Sequence, residues 1–256
     1  MKLIVTVDNN SRTDRYFLSE SALCFYIEEG NKKIFFDLGY SDIVLKNALK
    51  LGIDIKNIDN IVFSHSHNDH TGGLFYLNNL YREFIEHKIP FKIPEIISHK
   101  EIFEPLYEDN IGCISSPVFK NQLIANFKTN LSDAPIKLTE NLYYSGRISN
   151  GNIDETALFY TSKYGVVIIT GCSHSGLKNI IEKAEKTTGQ SNIYAITGGF
   201  HLLDKSEEEI KGISSYLKEK GIKELYPSHC TSLKSKVILS QEFDVVEVCT
   251  GDEFNF

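Results

Sequence analysis

Three imidazoles and one carboxylate crowd the segment His65-Ser66-His67-Asn68-Asp69-His70, a density of donors with few uses besides holding metal ions. Imidazole and carboxylate ligands accept Zn, Mn, Fe or Ni, with zinc the first expectation. On an extended chain His65 and His67 point to one side, whereas Asp69 and His70 are adjacent and must diverge or reach a second ion. The spacing therefore predicts two metals. A catalytic ion keeps a position open for water and lowers its pKa toward ~7, and two ions about 3.5–4 Å apart can clamp the attacking and leaving oxygens of a phosphoryl transfer. Such a site suits hydrolysis of an ester, amide or phosphodiester.

The elements around the cluster must position it. Ile61-Val62-Phe63 reads as the end of a strand, and Gly72-Gly73 lead into a helical pattern, so the donors are expected in a strand-to-helix loop. Open α/β sheets bind ligands at such carboxyl ends of strands. A strand running through small or polar residues into a histidine recurs at His174, His201 and His229, and these four places hold six of the eight histidines. One histidine after a strand is commonly structural; four strand ends converging on one sheet edge predict a site. His87 and His99 have no companion groups in the sequence and read as structural.

The pattern elsewhere predicts strands at 1–8, 22–28 and 33–39, a helix at 41–51, a strand at 58–63 and a helix at 74–84. The order β, α, β over 33–63 implies a parallel pair with a crossover helix. From 88 to 151 the periodicity weakens and five of the six prolines occur, which predicts an irregular excursion of short strands near the active site, or else a surface insertion. Strands are expected again at 157–161, 165–170, 192–197 and 223–226, with helices at 177–186 and 206–220. Ser206 and Glu209 form a capping-box signature for the last helix, and Gly221 stops it. One domain spanning 1–256 accommodates all of this.

The net charge of -7 offers no basic footprint for nucleic acid. The apolar run at the N-terminus is too short for a signal peptide, and no stretch approaches the ~18 apolar residues of a membrane span, so a cytoplasmic protein without a membrane partner is expected. The five cysteines, an odd number without close pairing, read as reduced thiols rather than a disulfide framework. A small-molecule substrate is the expected partner; nothing in the sequence fixes an oligomeric state.

His65-x-His67-x-Asp69-His70 followed by Thr71-Gly72-Gly73 resembles the metallo-β-lactamase superfamily, whose α/β fold is an αββα sandwich with a dinuclear metal site. Phe36-Asp37-Leu38-Gly39, Thr170-Gly171-Cys172-Ser173-His174-Ser175-Gly176, Gly198-Gly199-Phe200-His201-Leu202 and Ser228-His229-Cys230-Thr231 are similar to its dihydropterin-ribofuranosylaminobenzene-phosphate synthase branch. The resemblance implies that His65, His67 and His174 hold one ion and Asp69, His70 and His229 the other, with Asp37 orienting the first motif from behind. Cys172 stands where many members carry a bridging Asp. Either His174 completes the set without a carboxylate bridge, the favoured reading, or Cys172 contributes a thiolate.

Asp69 and His201 are the candidate catalytic residues, His201 as a general acid, as a hydrogen-bond donor to an oxyanion, or as support. Glu20 and Glu155 match acidic positions of the branch, with solvated carboxylates as the plain alternative. Three functions follow as expectations: a dinuclear metal-dependent hydrolase of a phosphate-bearing or anionic substrate, a synthase-type transferase, or a sensor or scaffold that keeps the site without turnover.

Overall fold

The computed structural model describes residues 1–109, 111–115, 126–151 and 153–256. In chain order the strands are β1 (Lys2–Val7), β2 (Cys24–Glu29), β3 (Lys32–Phe36), β4 (Asn60–Val62), β5 (Glu95–Ser98), β6 (Tyr107–Glu108), β7 (Gly112–Cys113), β8 (Lys128–Leu131), β9 (Ile136–Lys137), β10 (Leu142–Tyr144), β11 (Ala157–Ser162), β12 (Gly165–Thr170), β13 (Ile193–Gly199), β14 (Glu224–Ser228), β15 (Asp244–Val245) and β16 (Glu253–Asn255). The α-helices are α1 (Ile43–Lys50), α2 (Asn68–Thr71), α3 (Gly73–Glu86), α4 (Leu177–Thr188), α5 (Glu207–Glu219) and α6 (Leu233–Leu239). Two compact units divide the chain, Met1–Asp133 with Cys249–Asn255, and Ala134–Val248 with Phe256.

The first unit is built on a mixed sheet in the order β16-β1-β2-β3-β4-β5-β8. Strands β1, β2 and β3 are antiparallel neighbours, and β3, β4, β5 and β8 run parallel. The parallel β3–β4 pair with α1 between them in sequence is the crossover expected from the sequence, registered Ile34 to Asn60 and Phe36 to Val62. The core joins Phe35, Ile61 and Phe63 from the sheet to Val44 and Ala48 of α1 and Leu74, Leu77 and Tyr81 of α3. Each fully buried aliphatic side chain of this kind contributes about 1.5–3 kcal/mol.

The second unit has a mixed sheet in the order β15-β14-β13-β12-β11-β10-β9. Its centre, β12-β13-β14, is parallel, with α4 and α5 as the connections. Phe159, Ile168 and Ile196 meet Ile180 and Ile181 of α4 and Ile210 and Leu217 of α5 in its core. The fold class is α/β as expected from the sequence. No helix among the described residues is long and apolar enough to cross a membrane.

Two expectations need correction. The four histidine-terminated strands do not share one sheet: β12, β13 and β14 are adjacent in the second sheet, whereas β4 belongs to the first. Apolar runs that end in histidine carry no signal of which sheet they join, because pairing is decided by partners far away in the chain. The short strands expected in 88–151 are present, but four of them belong to the two sheets, β5 and β8 extending the first and β9 and β10 the second. Strands of two to four residues beside prolines have too few alternations to register as a pattern; Pro117 of that stretch lies outside the described residues.

The α5 capping box forms as read, with the Ser206 hydroxyl accepting from Glu209 N at 3.2 Å and the Glu209 carboxylate accepting from Ser206 N at 2.8 Å. That backbone donor, with Lys205, holds the Glu209 carboxyl down at about 2 against an ordinary 4.5. Its contribution is thus complete above 4.5 and disappears as the pH falls toward 2, so the stability gap between wild type and Glu209→Ala is expected to close over that window in urea titrations. Ser206→Ala is expected to cost about 1 kcal/mol at neutral pH in the same measurement.

Candidate metal centre

In the first unit the C-terminal ends of parallel β3 and β4 lie side by side, which puts Asp37 next to Ser64. Asp37, fully buried, adopts a left-handed φ of 60° that turns its carboxylate back across the end of β4. One carboxylate oxygen accepts from Ser64 N at 2.7 Å; the other accepts from Ser64 Oγ at 2.7 Å and lies 2.7 Å from His70 Nδ1. Ser64 Oγ lies 2.9 Å from His65 Nδ1. The chemistry of these groups fixes the protons. A carboxylate only accepts, so His70 must donate from Nδ1, and Ser64 must give its one hydroxyl proton to Asp37. Ser64 Oγ can then only accept, so His65 also donates from Nδ1. One buried carboxylate thereby leaves Nε2 as the lone-pair nitrogen on both histidines, the tautomer a metal ligand requires.

His65 Nε2 and His67 Nδ1 lie 3.1 Å apart, near the ~3.4 Å edge expected for two nitrogens bound about 2.1 Å from one tetrahedral ion. His67 is the cap residue of α2, so the chain leaves its extended path there and begins a helix. That change of path separates Asp69 and His70: His70 turns inward to Asp37, while Asp69 Oδ2 lies 3.8 Å from His70 Nε2. Gly73 permits the close approach of this helix to the loop after β3, since a Cβ there would stand 2.1 Å from the carbonyl of Leu38. The donors, their spacing and their tautomers fit divalent ions.

A cavity of about 440 Å³ opens beside His67 and Asp69, with Glu20, Tyr40, Glu108 and Ile114 also in its wall. Its size falls in the range of small-molecule sites. Glu20 is not merely solvated: it accepts from the backbone N–H groups of Tyr40 and Ser41 at 2.9 and 3.1 Å and from Ser41 Oγ at 2.6 Å, pinning the loop that carries Tyr40.

In the second unit the ends of β12, β13 and β14 bring their residues into one neighbourhood. Donor atoms of Cys172, His229 and Cys230 all lie within 4.8 Å of one another. The His174 and His201 rings lie 4.4 Å apart between centroids, tilted by 49°. Ser173, His201 and His229 have positive φ values of 59°, 53° and 49°, an unusual concentration of left-handed non-glycine residues at three adjacent strand ends. Glu155 is fully buried, so its solvated reading is wrong: it accepts from His174 N at 3.1 Å, from Ser175 N at 2.6 Å and from the Ser175 hydroxyl, and so holds the His174 loop. Burial pushes its carboxyl upward, partly opposed by those donors.

Cys230 was not distinguished in sequence from an ordinary buried thiol, although its position directly after His229 was a usable signal. Its hydrogen bond with Cys172 is the chief influence holding this thiol well below its ordinary value, against desolvation. Hydrogen bonding to Cys230 in turn raises His201. His99 is buried and accepts from Glu101 N at 3.3 Å, in keeping with a structural role.

A family model of the metallo-β-lactamase superfamily matches residues 20–83. The 7,8-dihydropterin-6-methyl-4-(β-D-ribofuranosyl)-aminobenzene-5'-phosphate synthase of Methanocaldococcus jannaschii is 30% identical, over 95% of this chain and 92% of its own length. This chain belongs to the metallo-β-lactamase superfamily. An uncharacterized protein of the same organism is also 30% identical, over 93% of each chain. Among solved structures, a metal-dependent hydrolase of the β-lactamase superfamily superposes with a TM-score of 0.82 at 26% identity, over 100% of this chain and 99% of its own.

Asp37→Asn removes an acceptor from a fully buried network and sets an amide N–H₂ against donors. It is expected to lower unfolding stability by about 2–4 kcal/mol in urea titrations. An unchanged midpoint would show that the network is dispensable.

Proposed function

We propose that this chain is a metal-dependent hydrolase of a small phosphate-bearing or otherwise anionic substrate, acting in the cytoplasm with two divalent ions, zinc by preference. By the motif pattern of the superfamily, His65, His67 and His174 would hold one ion and Asp69, His70 and His229 the other. The observation that carries this reading is the Asp37–Ser64 network, which commits a buried carboxylate to fixing the tautomers of His65 and His70. Bound ions would supply Lewis acidity, and a water acidified toward ~7 as the nucleophile.

The chain's own residues do the rest. The cavity beside His67 and Asp69 accepts the body of a small molecule, with the backbone of Tyr40 in its wall fixed by Glu20. Asp69 combines its proposed ligand role with orientation of the attacking water. His201, raised by its sulfur partner and beside the His174 ring, is the proposed proton donor to the leaving oxygen. Glu155 keeps the His174 backbone fixed while protons move around it.

A second reading is a transferase that joins a dihydropterin diphosphate to a ribofuranosyl-aminobenzene phosphate with loss of diphosphate; it is favoured by the M. jannaschii relative, whose name is that of a synthase. The same ion set would stabilise a diphosphate leaving group. A panel of phosphodiesters, phosphomonoesters, thioesters and lactams, run beside a diphosphate-release assay with the pterin substrates, separates the two. Hydrolysis of phosphodiesters without diphosphate release supports the first, and the reverse supports the second. No turnover in either arm, with metal bound, would leave a sensor or scaffold.

Elemental analysis of the purified protein tests the ligand sets. His67→Ala and His229→Ala are each expected to lower bound metal by about one equivalent while the far-ultraviolet circular dichroism is retained. Unchanged metal in both variants would overturn the assignment.

A further inference from the structure

We propose that Cys172, His229 and Cys230 form a thiolate–imidazole ligand set, so that the ion held by His229 is bound partly through sulfur. The inference rests on the metal-dependent reading above for the presence of an ion, and on nothing about the reaction.

Its basis is a gap built into the second sheet. Cys172 follows β12 and Cys230 follows β14, and β13 lies between those strands. Two side chains so placed are ordinarily separated by those of the middle strand. Here the middle strand ends at Gly199, where a Cβ would stand 2.6 Å from Cys230 Sγ and 2.5 Å from the carbonyl of Gly171. The missing side chain is the space that the Cys230 sulfur occupies, and it lets donors of Cys172, His229 and Cys230 gather within 4.8 Å.

The backbone reinforces this. His229, at the turn that brings it and Cys230 to the gap, has φ 49°, a left-handed conformation that a non-glycine residue keeps only where its surroundings impose it. The His201 backbone N–H donates to Cys230 Sγ at 3.3 Å, the kind of outer donor that orients a metal-bound sulfur. The buried thiols Cys24 and Cys249 belong to the first unit and join no such group, so burial of cysteine in this chain does not by itself bring thiols together.

Coordination requires both thiols to lose their protons to solvent, which ends the weak 3.5 Å contact of Cys230 Sγ with the carbonyl of Cys172. Two thiolates and a neutral imidazole are a donor composition that holds catalytic zinc in alcohol dehydrogenase, and here they would add to Asp69 and His70 of the set proposed above. Sulfur donors favour zinc, iron or cobalt over manganese or magnesium.

Cobalt(II) loading of the full chain tests this by absorption spectroscopy. Thiolate-to-cobalt charge transfer in the near ultraviolet is expected in the wild type, reduced by about half in Cys230→Ser and absent in Cys172→Ser/Cys230→Ser, and retained in His67→Ala. Should the double variant fail to fold, thiol titration of the folded wild type provides the independent readout: two of the five cysteines are expected to lose reactivity on loading. Bound cobalt with only ligand-field bands and unprotected thiols would overturn the sulfur ligation and leave the hydrolase reading intact. Charge transfer without turnover on any substrate would do the opposite. Failure to bind cobalt at all would overturn both.

Discussion

The carboxylate of Asp37 sits in the first unit where no water can compensate it, and the arrangement of the metal motif depends on what it accepts. Its two oxygens take the backbone and hydroxyl protons of Ser64 and the Nδ1 proton of His70, and the serine relays the same demand to His65. Removing this acceptor would leave buried donors unpaired and two imidazoles free to choose either tautomer. Local strain and metal chemistry are joined here: the left-handed φ of Asp37 serves to aim its carboxylate at groups one strand away.

The second unit solves a similar positioning problem by different means. Three parallel strands end together, and the left-handed residues Ser173, His201 and His229 turn the chain abruptly after each. Buried Glu155 anchors one of these turns through the amides of His174 and Ser175. Gly199 keeps the middle strand thin enough for sulfur to lie across it. Cys172 and Cys230 thereby come together beside His229, the grouping on which the proposed ligand set rests.

Much of this was legible in the sequence because it is local. The donor spacing of His65, His67, Asp69 and His70, the α5 capping box and the strand ends at His174, His201 and His229 are patterns within about a dozen residues, and the β3–β4 crossover is a succession of three such patterns. Asp37 was legible as support for the motif only through resemblance, since nothing in its own neighbourhood names Ser64 or His70 as partners. What escaped was set at a distance. The assignment of β4 to one sheet and β12–β14 to another depends on pairings across the chain, and β5 and β8 are too short to announce themselves without the β4 edge they extend. Cys230 looked like any buried thiol because its significance lies in a missing side chain on a different strand. For Glu155 the sequence leaves a branch position and a solvated carboxylate both open, and its backbone donors, nineteen and twenty residues away, decide against the second.

The most direct test of the central claim is the imidazole tautomer of His65 and His70, read by long-range nitrogen–proton NMR correlations in the metal-free, histidine-labelled protein. Both rings are expected as Nδ1–H tautomers, with Nε2 at the chemical shift of an unprotonated nitrogen. An Nε2–H tautomer at either residue would contradict the account, because Asp37 would then not set the donor atoms on which the site is built.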